Sequence, residues 1–146
     1  HTQSSATWYD YKINGRSMGE LAQWAFVAGH FGIPLVMVSG DEAAWVEAHS
    51  FFNPVKTVAV KRGTERMRAD TLSLNLAREH IHIAAKEAIN LISQVKPFRL
   101  YKPYIFELTF MRADFADEIM KQGKVERIDA RKVRWVSDSP LDLFPW

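Results

Sequence analysis

The stretch that decides the fold is INGRSMGELAQWAFVAGHFGIPLVMVSGD, residues 13–41. It opens with Asn14-Gly15, and this dipeptide is the strongest short signal for a two-residue β-hairpin when strand-like residues flank it. The aromatic residues within 7–13 supply the strand before the turn, and Arg16 begins a short return strand. The sequence therefore predicts a hairpin that leads directly into the apolar segment behind it.

That apolar segment has the pattern of a capped helix. Ser17 and Glu20 have the spacing of a capping box, in which the hydroxyl and the carboxylate each bind a backbone N–H at the helix start. Apolar residues cover most of the helix circumference over residues 21–28, which predicts burial on more than one side. Gly29 and Gly32 end the helix. Capping is by itself a sufficient structural explanation for Glu20.

A continuous apolar run at residues 35–38 predicts a central strand that is covered on both faces. Ser39-Gly40-Asp41 follows at the carboxyl end of this strand, where ligands gather in open α/β sheets. Asp41 also stands directly before a predicted helix over residues 42–52, and capping is the commoner use of Asp at that position. Two interpretations of Asp41 therefore stay open, a site residue and a helix cap.

Strands and helices alternate along the rest of the chain. This order predicts right-handed βαβ units. We expect an α/β fold with αβα layers, a mostly parallel central sheet and a C-terminal strand-helix-strand extension, all within one domain portion that spans residues 1–146. The predicted elements are strands at 55–60 and 104–111, helices at 72–95 and 113–121, and one or two charged edge strands within 125–136.

A basic segment follows the strand at residues 55–60. Lys61, Arg62, Arg66 and Arg68 are expected at the same end of the sheet as Asp41. Guanidinium groups there are suited to holding a carboxylate or a phosphate. A solvated run of charges is the more common interpretation of such a segment.

Composition excludes several classes of function. The 146 residues are 47% hydrophobic and 25% charged, which is typical of a globular domain. The formal charge is only +2 with both signs interspersed, so we expect no nucleic-acid partner. No apolar run approaches the roughly 20 residues that cross a bilayer, and no signal peptide is visible. We therefore expect no membrane partner and a cytoplasmic location. The absence of cysteine excludes thiol nucleophiles and cysteine zinc sites.

Six short motifs are spread over residues 13–61, and a looser match extends over residues 104–136. Together they resemble the C-terminal part of the zinc-dependent D-aminopeptidases of the DppA type. The motifs are Ile13-Asn14-Gly15-Arg16, Met18-Gly19-Glu20, Val27-Ala28-Gly29, Gly32-Ile33-Pro34-Leu35-Val36, Ser39-Gly40-Asp41 and Lys56-Thr57-Val58-Ala59-Val60-Lys61.

The resemblance implies a metallo-aminopeptidase with two zinc ions that releases N-terminal D-residues from short peptides. It also implies a homo-oligomer, a decamer of two stacked five-membered rings. One metal ligand of the family is a Glu that follows Gly at a helix start, and it corresponds to Glu20. A catalytic His lies shortly upstream in the family, near the place of His1. His1 is one residue further from Glu20 than the family spacing, so the match assumes an insertion. A neutral imidazole there would be suited to general-base catalysis.

The other metal ligands of that family have no counterpart in this sequence. They are an Asp and a Glu in an acidic N-terminal segment, and two His. The sequence starts with His1 rather than Met, so we expect a companion N-terminal fragment of the same protein to complete the zinc site.

Two other classes of protein remain open. In the first, the chain is a structural or oligomerisation subunit and Glu20 is only a helix cap. In the second, His1 is a mature N-terminus that chelates copper through its amine and its ring, as in the copper monooxygenases. Those proteins are β-sandwiches, whereas the element order predicted here is strand-helix-strand.

Overall fold

The computed structural model describes residues 3–145, which form strands, helices and a short 3₁₀ helix. Contacts within the chain divide it into two units. The first unit joins the residues up to Val27 to the residues from Arg99 onward, and the second unit is Ala28–Phe98. In chain order the elements are β1 (Trp8–Ile13), β2 (Arg16–Ser17), α1 (Glu20–His30), β3 (Met37–Asp41), α2 (Glu42–Phe51), β4 (Lys56–Glu65), β5 (Arg68–Thr71), α3 (Leu74–Ile89), β6 (Tyr104–Phe110), α4 (Ala113–Met120), β7 (Glu126–Arg127), β8 (Lys132–Ser137) and the 3₁₀ helix (Pro140–Asp142). The expectation of one domain over residues 1–146 stays a prediction.

The first unit is built on a five-stranded antiparallel sheet with the order β2-β1-β6-β8-β7. Side chains alternate along β6, where Phe106 and Leu108 are fully buried and Ile105 is exposed. This alternation follows from the two-residue period of a strand, and it confirms the strand predicted at 104–111. The charged edge strand predicted within 125–136 is β7, whereas β8 lies inside the sheet.

The predicted turn at the start of the sheet is confirmed. Ile13 pairs with Arg16, so that Asn14 and Gly15 form a two-residue loop with positive φ angles of 51° and 79°. Positive φ at both positions is the geometry that makes Asn-Gly favourable in hairpins. The side chain of Asn14 adds contacts that the sequence did not predict. Its Oδ1 accepts from the Ile105 amide at 2.8 Å, and its Nδ2 donates to the Tyr101 carbonyl at 2.9 Å.

We expect Asn14→Ala to lower the free energy of unfolding by about 2 kcal/mol. The substitution removes two hydrogen bonds, and Ala tolerates the left-handed region less well than Asn, whose short polar side chain can form local hydrogen bonds. Asn14→Gly is the matched control, because it loses the same hydrogen bonds and relieves the backbone. Urea unfolding should place Asn14→Gly between wild type and Asn14→Ala. Equal stability of all three proteins would contradict the role of Asn14 in the turn.

Aromatic rings fill the core of the first unit. Trp8 stacks on Tyr11 with ring centroids 5.5 Å apart, and Phe106 stacks on Trp135 at 5.2 Å. The hydroxyl of Tyr11 donates to the carbonyl of Leu143, and burial raises the pKa of Tyr11 far above its usual value. The apolar residues at 140–144 thus begin with a 3₁₀ helix and dock on the core of this unit.

The second unit contains one βαβ motif. Strands β3 and β4 run parallel and are joined by α2, whereas β5 is antiparallel to β4. The mostly parallel sheet expected from the sequence is therefore found at this one strand pair, and the other strand pairs within residues 3–145 are antiparallel. Strand β5 is antiparallel because β4 continues past the predicted end at residue 60 into a hairpin, which returns the chain in the opposite direction.

Two further boundaries differ from the expectation. The predicted buried central strand at residues 35–38 is an edge strand at Met37–Asp41, half-buried along most of its length. The long helix predicted at residues 72–95 is α3, which begins after the N-cap Ser73 and ends at Ile89. Within residues 3–145, no helix has both the length and the apolar character needed to cross a membrane.

Candidate functional site

Glu20 is the first residue of α1, and the hairpin in front of it fixes this position. Ser17 lies in β2 and pairs with Lys12, and the amide of Met18 donates to the Tyr11 carbonyl at 2.8 Å. The strand pairing thus extends up to the helix. A capping box needs its Glu at the third helical position, whereas Glu20 occupies the first. The capping box predicted from Ser17 and Glu20 is therefore wrong, because Ser17 belongs to the sheet.

The start of α1 is held by a buried amide. Gln23 is 0% exposed, and its Nε2 donates to the Met18 carbonyl at 2.8 Å. A buried amide that is satisfied in this way fixes the local backbone, since breaking the bond would leave a desolvated polar group without a partner. The Glu20 carboxylate consequently projects, half-buried, from a rigid helix start.

One turn further along α1, Trp24 lies on the same side of the helix as Glu20, because residues four apart are neighbours on a helix surface. The indole is 49% exposed, and it contacts the Phe144 ring edge-to-face with centroids 6.2 Å apart. The sequence pattern treated Trp24 only as one apolar helix residue. Its spacing from Glu20 was the signal that could have placed it beside the site.

His1, the predicted catalytic residue, lies outside the described residues. Among residues 3–145, no three or more His, Asp or Glu side chains come together in a group that could hold a metal ion. The Glu20 carboxylate offers an oxygen donor of the kind that zinc accepts. The donor chemistry of Glu20 thus fits a zinc ligand, and the described part of the chain contributes this one ligand of the predicted set.

Asp41, the last residue of β3, caps the helix that follows it. Its Oδ1 accepts from the Ala44 amide at 2.9 Å, and Asp41 is the N-cap of α2. This confirms the capping interpretation of Asp41, since an oxygen of its carboxylate satisfies an amide at the helix start.

The predicted basic segment lies in the hairpin of β4 and β5, where residues 61–71 are exposed. Arg62 lies 3.5 Å from Asp70, and Arg68 lies 3.5 Å from Glu65. Exposed pairs of this kind contribute little to stability. A cavity of about 220 Å³ beside the hairpin is lined by both signs of charge, including Glu42, Lys61, Arg62 and Asp70. Such a lining favours a solvated charge run over an anion site.

Comparisons with known proteins all identify D-aminopeptidases as similar to this chain. The sequence model of the protein family described as D-aminopeptidase matches residues 1–146. A D-aminopeptidase of Bacillus subtilis (strain 168) is 41% identical over 63 residues, which are 43% of this chain and 23% of that protein. A solved structure, the zinc-dependent D-aminopeptidase DppA from Bacillus subtilis, described as a self-compartmentalizing protease, superposes with a TM-score of 0.91 at 25% identity. The superposition covers 98% of this chain and 52% of that one. The chain therefore spans about half the length of the solved relative.

Proposed function

Because the chain belongs to the D-aminopeptidase family, we propose that it is part of a zinc-dependent aminopeptidase that removes N-terminal D-residues from short peptides. The observation that carries the proposal is the family match over all 146 residues, and the fold agrees with it, at a TM-score of 0.91 to a zinc-dependent D-aminopeptidase. Two zinc ions, when bound, would polarise the scissile carbonyl and lower the pKa of a water molecule.

Glu20 is the residue of this chain that we assign to a metal. Two observations support the assignment. The helix starts at Glu20 itself, so the capping box that explained this residue structurally is absent, and Gln23 fixes the helix start beneath it. The role of Glu20 is to hold one zinc ion through a carboxylate oxygen.

His1 is the residue that we assign to proton transfer. The assignment rests on the family resemblance, because His1 lies outside the described residues. In this role the imidazole would take the proton of the attacking water and later deliver it to the leaving amine.

We infer that a companion N-terminal part of the same protein supplies the remaining metal ligands. Open sheet edges support this inference. Strand β5 pairs with β4 only between Lys61 and Glu65, so within the described chain the first half of β4 has a neighbour on one side only. An uncovered edge of this kind normally receives a strand or a covering element.

Cavities on both faces of that open edge support the same inference. One of about 390 Å³ is lined by apolar side chains of α2, Trp45 and Val46, and another of about 310 Å³ is lined by His80 and Ile83 of α3. A strand added beside β4 would point its side chains alternately toward the two faces. The companion would thereby enlarge the parallel part of the sheet and give the layered αβα arrangement. Intact-mass analysis of the native protein that detects this chain alone would refute the companion.

We further propose a homo-oligomer of two stacked pentameric rings. The support is that the solved relative is described as self-compartmentalizing, which requires several subunits to enclose a chamber. Light scattering that gives a monomer at micromolar concentration would contradict this assembly.

The test of the activity uses the complete protein, with its N-terminal part. We expect about two zinc ions per protomer and hydrolysis of D-alanyl dipeptides but not of the L forms. Activity should disappear on treatment with a chelator and return with zinc. A protein that binds no zinc and cleaves neither stereoisomer would instead support the structural subunit. The copper alternative predicts a β-sandwich, and the mixed helices and strands of both units do not support it.

A further inference from the structure

The side chain of Gln3 lies between Glu20 and Trp24. One terminal atom of its amide group lies 3.3 Å from Glu20 Oε1, and the other terminal atom lies 3.0 Å from Trp24 Nε1. The whole first hairpin, β1 and β2, lies between Gln3 and these two residues in the chain, so the contact is a result of the fold. A polar side chain thus bridges the proposed zinc ligand and the aromatic ring one helical turn behind it.

The orientation of the Gln3 amide follows from the groups around it. With its nitrogen toward Glu20 and its oxygen toward Trp24, the amide donates to the carboxylate and accepts from the indole N–H. The reverse orientation gives one hydrogen bond, from Gln3 Nε2 to Gln23 Oε1 at 3.3 Å. In this reverse orientation the amide oxygen of Gln3 faces the carboxylate oxygen of Glu20, and the amide nitrogen of Gln3 faces the indole N–H of Trp24. The first orientation makes two hydrogen bonds and removes two repulsive contacts, and in exchange it places the Gln3 amide oxygen 3.3 Å from Gln23 Oε1. It is preferred because one such contact costs less than the two that it replaces.

Trp24 in turn packs against other aromatic rings of the first unit. Its ring contacts Phe144, and Phe144 contacts Trp8 with centroids 5.7 Å apart, so the line of rings ends on a side chain that is only 7% exposed. A rigid donor, the indole N–H of Trp24, restricts the rotation of the Gln3 amide. The restricted amide in turn restricts the carboxylate of Glu20.

We propose that Gln3 is a positioning residue that orients the Glu20 carboxylate for zinc binding. The inference rests on the proposed function of Glu20. A donor on one carboxylate oxygen leaves the other directed at the metal, and outer partners of this kind typically contribute 10–100-fold to metal affinity. The alternative is that Gln3 only anchors the N-terminal segment on α1, in which case its loss would lower stability and leave zinc affinity unchanged.

The test is the dissociation constant of Zn²⁺, measured on the complete protein by competition with a chromophoric chelator. We expect Gln3→Leu to raise it by about 10-fold or more. Trp24→Phe, which keeps an aromatic ring but loses the indole N–H, should raise this constant less. Because both act through the same amide, the double variant should bind zinc no more weakly than Gln3→Leu alone. Gln122→Leu is the matched control, since Gln122 is exposed and lies outside this cluster.

The outcomes separate this inference from the proposed function. An unchanged zinc affinity in Gln3→Leu, together with zinc loss in Glu20→Gln, would overturn the positioning role and leave the peptidase proposal standing. An unchanged affinity in both variants would overturn the assignment of Glu20 itself. Should Gln3→Leu fail to fold, Gln3→Asn, which withdraws the amide by one methylene, decides the question by the same criterion.

Discussion

Glu20→Ala is expected to remove one zinc ion per protomer and to reduce kcat/KM for a D-alanyl dipeptide by more than about 100-fold. The magnitude follows because even outer partners of metal ligands are typically worth 10–100-fold, and a direct ligand should exceed them. The helix should survive the substitution, since Ala has the highest helix propensity and Glu20 carries no capping box here. Metal analysis and steady-state kinetics on the complete protein measure the two effects.

Glu20→Gln is the companion variant. It keeps the length and the hydrogen-bonding oxygen of the side chain and removes its charge, so its comparison with Glu20→Ala separates ligand chemistry from packing. We expect both variants to melt near the wild-type temperature once zinc is removed from all three proteins. Unchanged zinc content and activity in Glu20→Gln would return Glu20 to a structural role at the start of α1.

Gly29→Ala is expected to lower the free energy of unfolding by about 3 kcal/mol or more. A Cβ at Gly29 would lie 1.9 Å from the carbonyl oxygen of Phe98 and 2.9 Å from its carbonyl carbon. Both atoms belong to the backbone, so no side chain can rotate away. Overpacking typically costs about 1–3 kcal/mol, and a contact with backbone belongs at the upper end of that range. Urea unfolding followed by far-UV circular dichroism measures the loss.

Gly63→Ala is the matched control for this prediction. A Cβ at Gly63 meets no atom within 4 Å, and the residue lies exposed in β4. The same substitution there should leave the protein at wild-type stability or stabilise it slightly, because Ala restricts the unfolded chain more than Gly does. Equal stability of Gly29→Ala and Gly63→Ala would show that the backbone at Phe98 can move away from α1.

Gly29 also shows that one residue type in a sequence can have two different structural causes. The sequence indicated Gly29 as a helix stop, whereas α1 continues through it to His30. Its requirement for glycine comes from Phe98, a contact partner almost seventy residues away in the chain. Both a helix end and a close backbone contact favour glycine, so the sequence alone cannot distinguish the two causes and the fold is needed to do so.

The sequence by itself determined the features that depend on neighbours a few residues apart. The turn at Asn14-Gly15 and the alternation along β6 each follow from local backbone geometry, and both are confirmed. The sequence also offered the capping of α2 by Asp41 as one of two interpretations, and the structure confirms this cap. The family motifs likewise indicated the D-aminopeptidase family and directed attention to Glu20.

The tertiary structure decided the features in which a local signal competes with a distant partner. Ser17 has a good capping pattern, but strand pairing with Lys12 takes it into the sheet and moves the helix start to Glu20. The direction of most strands and the contact of Gln3 with Glu20 were decided in the same way. The physical reason is that pairing and packing across the chain bury more surface and satisfy more backbone groups than a single cap provides, so they override it where the two conflict.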